Sequence, residues 1–427
     1  MTSTEQRARA LLAEVNGAGN CVHPIRLSGE TVNLATGEVR RANLLVPCKD
    51  RRSVICPPCS YLYKADAFII VATGLRGGKG VVESIESHPM YFVTLTAPSF
   101  GPVHSTGSSS GVCRFRHQRE NCPHGLPLWC YRRHEGGEFA GAPLCVQCFD
   151  YRAAVLWNAQ LSTLWHRTLV NLRRSLAAHH EKIEREFNAQ CQLNYLKVAE
   201  VQRRGLIHVH AVFRLDGPKG PDSPPPHWIN IDQVKLSIAR VIRETKVIDV
   251  GGATLSWGSQ FDVQDLLTSS ENGRRITAYL AKYTTKSTDD SVNFARRFRS
   301  RQQIEYLRGN DHLQRFALTA WDLEGESKLK SLKLREHANT LGFRSQLITK
   351  SRNYSTTFTE LRRARTDYRS QQSSIDPVKA SFQYDGRGYH NPSASRLAEV
   401  LFTMHKELRQ EKSERMRAEI SSESEVS

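Results

Sequence analysis

The chain has 427 residues, enough for two or three domains, and its apolar content of 39% predicts at least one real core. Its 60 Lys and Arg against 43 Asp and Glu give a formal charge of +17. This excess favours a polyanionic partner, most simply nucleic acid, although a protein with an ordinary basic surface would also fit. No run of 18 apolar residues and no secretory signal pattern are found, so we expect a cytoplasmic protein with no membrane partner.

The periodicity of apolar residues predicts a succession of helices and strands. Helical spacing predicts helices over residues 61–72, 151–187, 231–246 and 273–287. Alternation predicts strands over residues 91–96, 193–202, 206–215 and 256–266. Two segments, 21–60 and 101–148, are rich in cysteine and lack periodicity, so we expect them to be irregular and organised by something other than a core.

The strand "LIHVHAVFRL" carries two histidines one residue apart. His208 and His210 point to the same face, about 7 Å apart at the rise per residue of a strand. If the preceding "RRG" is a three-residue loop, Glu200 faces His208, whereas a two-residue turn would bring Gln202 into question instead. Two imidazoles and a carboxylate suit Mn²⁺, Mg²⁺ or Zn²⁺. The alternative is two ordinary histidines on a half-exposed strand.

The predicted helix "GRRITAYLAKYTTKS" places Tyr279 and Tyr283 four residues apart, on one face beside Lys282 and Lys286. Aromatic packing with a solvated basic edge would explain this pattern. The catalytic interpretation is attack on a phosphate: a phenol with a pKa of about 10 becomes a nucleophile when a metal and a lysine neutralise charge. Attack on DNA would release a 3′-OH and leave the 5′-phosphate as a tyrosyl ester.

Three sequence motifs follow one another in the order "YFVTLTAPS", "IHVH" and "YLAKYTTK". They resemble the three motifs of HUH endonucleases that start rolling-circle replication, and more closely the RepSA-type initiators of actinobacterial plasmids and integrative elements. The stretches "LCVQCFDYRAAVLWN" and "LGFRSQLITKSRNYSTTF" also resemble that family. The resemblance implies an α+β fold, with an HUH core of a central antiparallel sheet flanked by helices.

The resemblance assigns roles to the candidate residues. His208 and His210 match the metal-binding histidines, and Glu200 lies where some initiators have an acidic third ligand, for a catalytic Mn²⁺ or Mg²⁺. Both tyrosine positions of the two-tyrosine initiators are occupied. Since some related plasmid initiators have a glutamate at the first position, Tyr283 is the expected nucleophile and Tyr279 the second, terminating one. Lys282 is the expected supporting cation.

The implied function is the initiation of rolling-circle replication. The protein would bind a double-stranded plasmid origin, nick a segment that has become single-stranded, and later rejoin the displaced strand. The released 3′-OH would prime a host polymerase. The chain lacks a Walker-type phosphate-binding motif, so a host helicase rather than an attached one is the expected partner. The expected location is the bacterial cytoplasm, on the nucleoid or plasmid.

The cysteines form two CxxC knuckles, Cys56/Cys59 and Cys145/Cys148, with the spacing of structural zinc sites. In a reducing cytosol this spacing indicates metal ligation before disulfides. The two pairs could each have their own ion or share one as a zinc ribbon, and free buried cysteines are the remaining alternative. The predicted ligands to structural Zn²⁺ are Cys21, Cys48, Cys56, Cys59, Cys113, Cys122, His124, Cys145 and Cys148.

Further possible ligands lie near the second knuckle, at His117, Cys130 and His134. Together with the predicted set they exceed what one zinc ion requires. Either a second ion binds there, or some of these side chains are not ligands.

The C-terminal third is rich in Lys and Arg interspersed with aromatic residues, which favours phosphate contacts with occasional base stacking, or else a solvated basic helix face. The predicted DNA-binding residues are Lys286, Arg296, Arg297, Arg299, Arg344, Lys350 and Arg352. The predicted domains are an N-terminal zinc-binding segment (1–87), an HUH domain (88–290) with a zinc insertion (101–150), a basic, mostly helical region (291–400) and a charged helical or disordered tail (401–427).

Three other functions fit parts of the pattern. A two-tyrosine HUH transposase would use the same chemistry. A zinc-containing DNA-binding regulator would bind DNA without cleaving it. A metal hydrolase would need more ligands after His210, and the sequence offers no convincing set.

Overall fold

The computed structural model describes residues 3–105, 112–113, 120–134, 140–266, 279, 294, 296–371 and 378–425. The chain forms two compact units: Met1–Ala67 together with Thr357–Ser427, and Phe68–Thr356. Within the described ranges, no helix combines the length and the apolar character needed to cross a membrane.

The described helices and strands alternate irregularly along the chain. In order they are α1 (Ser3–Gly17), β1 (Ile25–Asn33), β2 (Val39–Val46), α2 (Pro57–Arg76), β3 (Met90–Leu95), α3 (Tyr151–His179), α4 (Glu184–Gln190), β4 (Gln192–Val201), β5 (Ile207–Asp216), α5 (Ile231–Glu244), β6 (Lys246–Ile248), β7 (Thr254–Ser256), β8 (Phe261–Asp265), α6 (Arg301–Glu305), α7 (Asp311–Leu323), β9 (Ile348–Lys350), α8 (Phe358–Gln371), β10 (Val378–Arg387) and α9 (Pro392–Glu425).

The second unit contains a five-stranded sheet of order β8-β3-β5-β4-β9, in which every neighbouring pair is antiparallel. One face of the central strand β5 is apolar, since Val209, Ala211 and Phe213 are buried in the main hydrophobic cluster with residues of α3. The other face carries His208 and His210. The alternation of side chains along β5 thus separates the core from the candidate site. The helices and antiparallel sheets confirm the predicted α+β class.

A hairpin loop of three residues fixes the register of β4 and β5. The Gln202 amide donates to the Leu206 carbonyl at 2.8 Å, and Gly205 adopts a φ of +78°, a conformation that suits glycine. The buried side chain of Asn158 on α3 donates to the Gly205 carbonyl and accepts from the Ile207 amide. Of the two loop lengths that the sequence left open, the structure has the three-residue loop, which pairs Glu200 with His208.

The first unit joins the two ends of the sequence. Its three-stranded antiparallel sheet has the order β10-β1-β2, and Ile25 pairs with both Val46 and Arg387. The prediction that residues 21–60 are irregular was therefore wrong, because β1 and β2 pair with each other and β1 also pairs with β10, a strand near the opposite end of the chain.

Two of the predicted helices, over 151–187 and 273–287, are not found as single described helices. The helix predicted over 151–187 is interrupted: α3 ends at His179, and Glu181 has a φ of +52° before α4 begins. The helix predicted over 273–287 lies outside the described residues, apart from Tyr279.

Candidate functional site

Glu200, His208 and His210 lie together on one face of the β4–β5 hairpin. Glu200 is paired directly with His208, and its carboxylate is 3.8 Å from Nε2 of His210. The two imidazole rings have their centroids 4.6 Å apart. His210 and Glu200 are both buried, whereas His208 is partly exposed. The arrangement gives a carboxylate and two imidazoles at one place, the donor set expected from the sequence.

The neighbouring strand β3 holds the ring of His210 in position. Thr94 pairs with His210 across the strands, and its hydroxyl oxygen lies 3.3 Å from Nδ1 of that histidine. Phe92, two residues earlier, stacks parallel to the same ring at 5.8 Å. Because Thr94 contacts Nδ1 of His210, Nε2 is the nitrogen of that ring that lies nearer Glu200. Sequence analysis missed Thr94, although its place in the alternating "YFVTLT" strand was a usable signal.

Tyr279 is next to this group. Its ring packs edge-on against His210 and against Phe92, both at 5.6 Å between centroids, and 40% of the residue is exposed. One of the two predicted nucleophiles is thus in contact with a predicted metal ligand. The other, Tyr283, lies outside the described residues, as do Lys282 and Lys286.

A network of buried charges lies farther along the same face of β5. Asp216 accepts two hydrogen bonds from the Arg214 guanidinium, at 2.8 and 2.9 Å, and one from the Asn194 amide at 2.7 Å. Nδ1 of His88 is 2.7 Å from the same carboxylate. Arg214 also donates to the carbonyls of Gly74, Asn353 and Tyr354. These bonds tie the histidine-bearing strand to four other segments: β4, the segment that precedes β3, α2 and the stretch after β9.

The cysteines and several histidines form three clusters, in each of which four ligand atoms lie within 4.8 Å of one another. Among the described residues these are Cys21/Cys48/Cys56/Cys59, Cys122/His124/Cys145/Cys148 and His104/Cys113/Cys130/His134. Four Cys or His ligands at this spacing suit tetrahedral Zn²⁺. The clusters therefore have the composition of structural zinc sites.

The first cluster forms at the open end of the β1–β2 hairpin, opposite its turn. The hairpin brings Cys21 and Cys48 together at its two ends, beside Cys56 and Cys59 at the start of α2. The Cys48 amide donates to the sulfur of Cys21 at 3.3 Å. The hydrogen bond between the Cys21 and Cys48 side chains lowers the pKa of Cys48 and raises the pKa of Cys21, so it favours one thiolate at the expense of the other.

The second cluster combines the CVQC knuckle with Cys122 and His124. Burial would raise the pKa of Cys122, but hydrogen bonds from the backbone amides of His124 and Leu126 lower it to about 7. The knuckle is followed directly by α3, whose first turn is capped by the carboxylate of Asp150. The cluster thus lies at the start of the main core helix.

The third cluster corrects the predicted grouping of ligands. Cys113 lies with Cys130, His134 and His104 rather than with the CVQC knuckle, and sequence analysis missed His104. The two CxxC pairs belong to different clusters, so the shared zinc-ribbon alternative does not hold. His117 lies outside the described residues. The high density of cysteine and histidine is explained by two clusters within one insertion.

Native mass spectrometry of the zinc-loaded chain is expected to show three bound zinc ions, one for each cluster. Cys130→Ala should reduce the number to two, because it removes one of four ligands from the third cluster. Cys191→Ala is the control, since Cys191 is buried in the main core and belongs to none of the clusters. Two ions in both the parent chain and Cys130→Ala would show that the third cluster binds no zinc.

The predicted DNA-binding arginines of the second unit are exposed. Arg296, Arg297 and Arg299 precede α6, and Arg297 lies 3.5 Å from Glu336. Arg344 and Arg352 flank β9, the edge strand beside β4, while the half-buried Lys350 donates to the carbonyls of Ser351 and Arg352. The exposed arginines are accessible to DNA, and their contact with phosphate stays a prediction.

The fold and clusters define an α+β protein with cysteine–histidine groups arranged as metal sites. Residues 7–402 match the RepSA family, described as replication initiator protein, pSAM2. A replication initiator protein from Streptomyces ambofaciens is 33% identical over 409 residues, which cover 90% of this chain and 85% of that protein. The chain belongs to the RepSA family of replication initiators, as the sequence motifs predicted. No solved structure matches it.

Proposed function

We propose that this chain starts rolling-circle replication by nicking one strand of an origin through a covalent 5′-phosphotyrosine intermediate, as an HUH-type endonuclease. The observation that carries the proposal is the contact of the Tyr279 ring with His210, beside Glu200 and His208, at the face of an antiparallel sheet. A nucleophile and a metal-ligand set are thereby neighbours. The family supports a role in replication initiation.

Glu200, His208 and His210 would hold the catalytic Mn²⁺ or Mg²⁺. Their chemistry fits such an ion, because a carboxylate and two neutral imidazoles leave coordination positions open for phosphate oxygens. When bound, the ion would supply positive charge to the scissile phosphate. Thr94 and Phe92 hold the His210 ring, so the ligand set is oriented before DNA binds.

The tyrosines carry out the bond exchange. The phenol oxygen of Tyr283 or Tyr279 loses its proton and attacks the phosphorus, while the bond from phosphorus to the 3′-oxygen breaks and that oxygen takes up a proton. The 5′-phosphate remains as a tyrosyl ester, and a later 3′-OH reverses the reaction. Lys282 would stabilise charge on the phosphate. The second tyrosine would cleave the regenerated site after one round.

A cavity of about 540 Å³ lies beside the hairpin loop and would admit the DNA strand. Its lining includes Thr96, Arg203, Arg204 and Gln260. Arg204 donates to Gln202 at 2.9 Å, which holds its guanidinium at the loop. The proposed DNA partner is the origin, in both its duplex and its single-stranded form. A host helicase and polymerase would then act on the nicked origin in the bacterial cytoplasm.

Incubation with a single-stranded origin oligonucleotide and Mn²⁺ or Mg²⁺ is expected to give a covalent protein–DNA adduct. The adduct should be absent in Tyr279→Phe/Tyr283→Phe, since both phenol oxygens are removed. Denaturing gel electrophoresis and mass spectrometry of the labelled peptide measure it.

Tyr306→Phe is the matched control, because this exposed tyrosine lies in the same unit and contacts neither His208 nor His210 within the described part of the chain. Full cleavage by the double variant would contradict the tyrosine mechanism. Binding of origin DNA by the parent chain with no cleavage would favour the zinc-containing regulator instead. Each single variant then identifies which tyrosine attacks first.

A further inference from the structure

The first unit has a groove that the proposed nicking chemistry does not use. It has a volume of about 690 Å³ and is lined by residues from both ends of the sequence, all within this unit. Its Lys and Arg side chains are Lys49, Arg362, Arg365, Lys406 and Arg409. No Asp or Glu is among the described residues that line it. We call it the terminal groove.

The side chains that line the terminal groove carry a net positive charge. The Arg365 guanidinium makes two bonds to the buried Asp66 carboxylate, at 2.6 and 2.7 Å, so one cation is paired. Cys59 also lines the groove and belongs to the Cys₄ cluster, which would carry a formal charge of about −2 with Zn²⁺ bound. Lys49, Arg362, Lys406 and Arg409 together outweigh that charge. The groove therefore favours an anion.

Aromatic side chains lie in the same groove. Tyr61 and Phe402 contact each other edge-to-face at 6.0 Å, and the Arg409 guanidinium lies 5.1 Å from the Tyr61 ring centroid. Asn20 also lines the groove, and its Oδ1 is buried and accepts no hydrogen bond from the described residues. Flat rings, cations and an available acceptor are the groups that contact bases and phosphates of an unpaired strand.

We propose that the terminal groove binds single-stranded DNA, with phosphates on its Arg and Lys side chains and an unpaired base against Tyr61 and Phe402. A duplex fits less well, because its bases are stacked inside the helix and cannot reach rings within a concave groove. The DNA-binding residues predicted from the sequence lie at positions 286–352, in the second unit, so this is a separate surface. Its role in replication rests on the proposed function, but the binding itself requires no cleavage.

The first test is the salt dependence of binding to a fluorescent oligo-dT, without added Mn²⁺ or Mg²⁺. Arg362→Ala/Arg409→Ala removes two exposed groove cations from α8 and α9. The slope of log affinity against log salt should become shallower by about 1.4, since each phosphate contact on a single strand contributes about 0.7. Fluorescence anisotropy at several salt concentrations measures this slope.

The matched control is Arg363→Ala/Lys412→Ala, which removes the same charge from exposed positions of the same helices outside the groove lining. Its slope should equal that of the parent. Tyr61→Ser should weaken binding by about 5- to 100-fold, as expected for loss of one stacked base, while Tyr368→Ser on α8 should not. Circular dichroism and thermal unfolding show whether each variant keeps its fold.

The second test maps the contact directly. Ultraviolet cross-linking of an iododeoxyuridine oligonucleotide, followed by peptide mass spectrometry, should label Tyr61 or Phe402 in the parent and in the control. An unchanged salt slope in the groove variant, or cross-links confined to the second unit, would overturn the proposal. A stronger effect of the variant on duplex DNA or on RNA would overturn the choice of ligand. Failure of the nicking mechanism appears separately, as absence of the covalent adduct.

Discussion

Replacing Asp216 with asparagine is expected to lower the free energy of unfolding by about 3–5 kcal/mol, the cost of leaving a buried charge without its partner. Asp216 and Arg214 are fully buried, and the carboxylate is the acidic partner of that guanidinium. Asparagine keeps the shape of the side chain but removes its charge. Because Arg214 also donates to the backbone of two other segments, at Gly74 and at residues 353–354, its displacement would loosen the strand that carries His208 and His210.

Urea unfolding of Asp216→Asn and of Asp265→Asn measures this effect. Asp265 is the matched control, an exposed aspartate of the same sheet paired with Lys235 at 2.6 Å, and its substitution should change stability by no more than about 0.5 kcal/mol. Arg214→Met/Asp216→Asn should cost less than the sum of the two single substitutions, since it leaves neither charge unpaired. Equal effects of the two aspartate variants would contradict the role of the buried network.

The same network makes stability depend on acid. Burial by itself would raise the pKa of Asp216, but hydrogen bonds from His88 and Arg214 hold the pKa below its ordinary value. Since the pKa is lower in the folded than in the unfolded chain, the stabilisation is fully present above about pH 4. It is lost as the pH falls through the folded pKa. Asp216→Asn should therefore lose less stability than the parent in that acidic range.

His210→Ala is expected to slow oligonucleotide cleavage by about 10²- to 10³-fold, the rate equivalent of several kcal/mol of charge stabilisation at the phosphate. This result rests on the proposed function. Thr94→Val should slow cleavage less, by about 10- to 100-fold, because it removes the hydroxyl near Nδ1 and leaves the ring in place. Adduct formation over time measures both rates.

His166→Ala is the control for these variants, since His166 is an exposed histidine of α3 in the same unit. It should cleave at the parent rate. Oligonucleotide binding, followed by anisotropy, should be nearly unchanged in His210→Ala and Thr94→Val. Cleavage by His210→Ala at the parent rate would show that this histidine holds no catalytic ion, and a parallel loss of thermal stability and activity would assign it a structural role.

The site could be predicted as far as local geometry determines it. The alternation of "IHVH" places both histidines on one face, whereas "RRG" left two loop lengths open, of which the three-residue loop sets Glu200 opposite His208. The CxxC knuckles likewise identified two of the three ligand clusters, because both cysteines of a knuckle lie in one turn of chain. The order of three motifs identified the family.

Only the tertiary structure decided which distant segments meet. His104 joins Cys113, Cys130 and His134, and Asp216 joins Arg214 to His88, because loops and strand ends far apart in sequence converge. The pairing of β1 with β10 joins the two ends of the chain into the first unit, which contains the terminal groove. Side-chain alternation is local and can be predicted from a short stretch, whereas these contacts depend on how the whole chain packs. The sequence alone therefore determined that both histidines share one face of their strand, and packing determined which side chains contact them and which residues form the terminal groove.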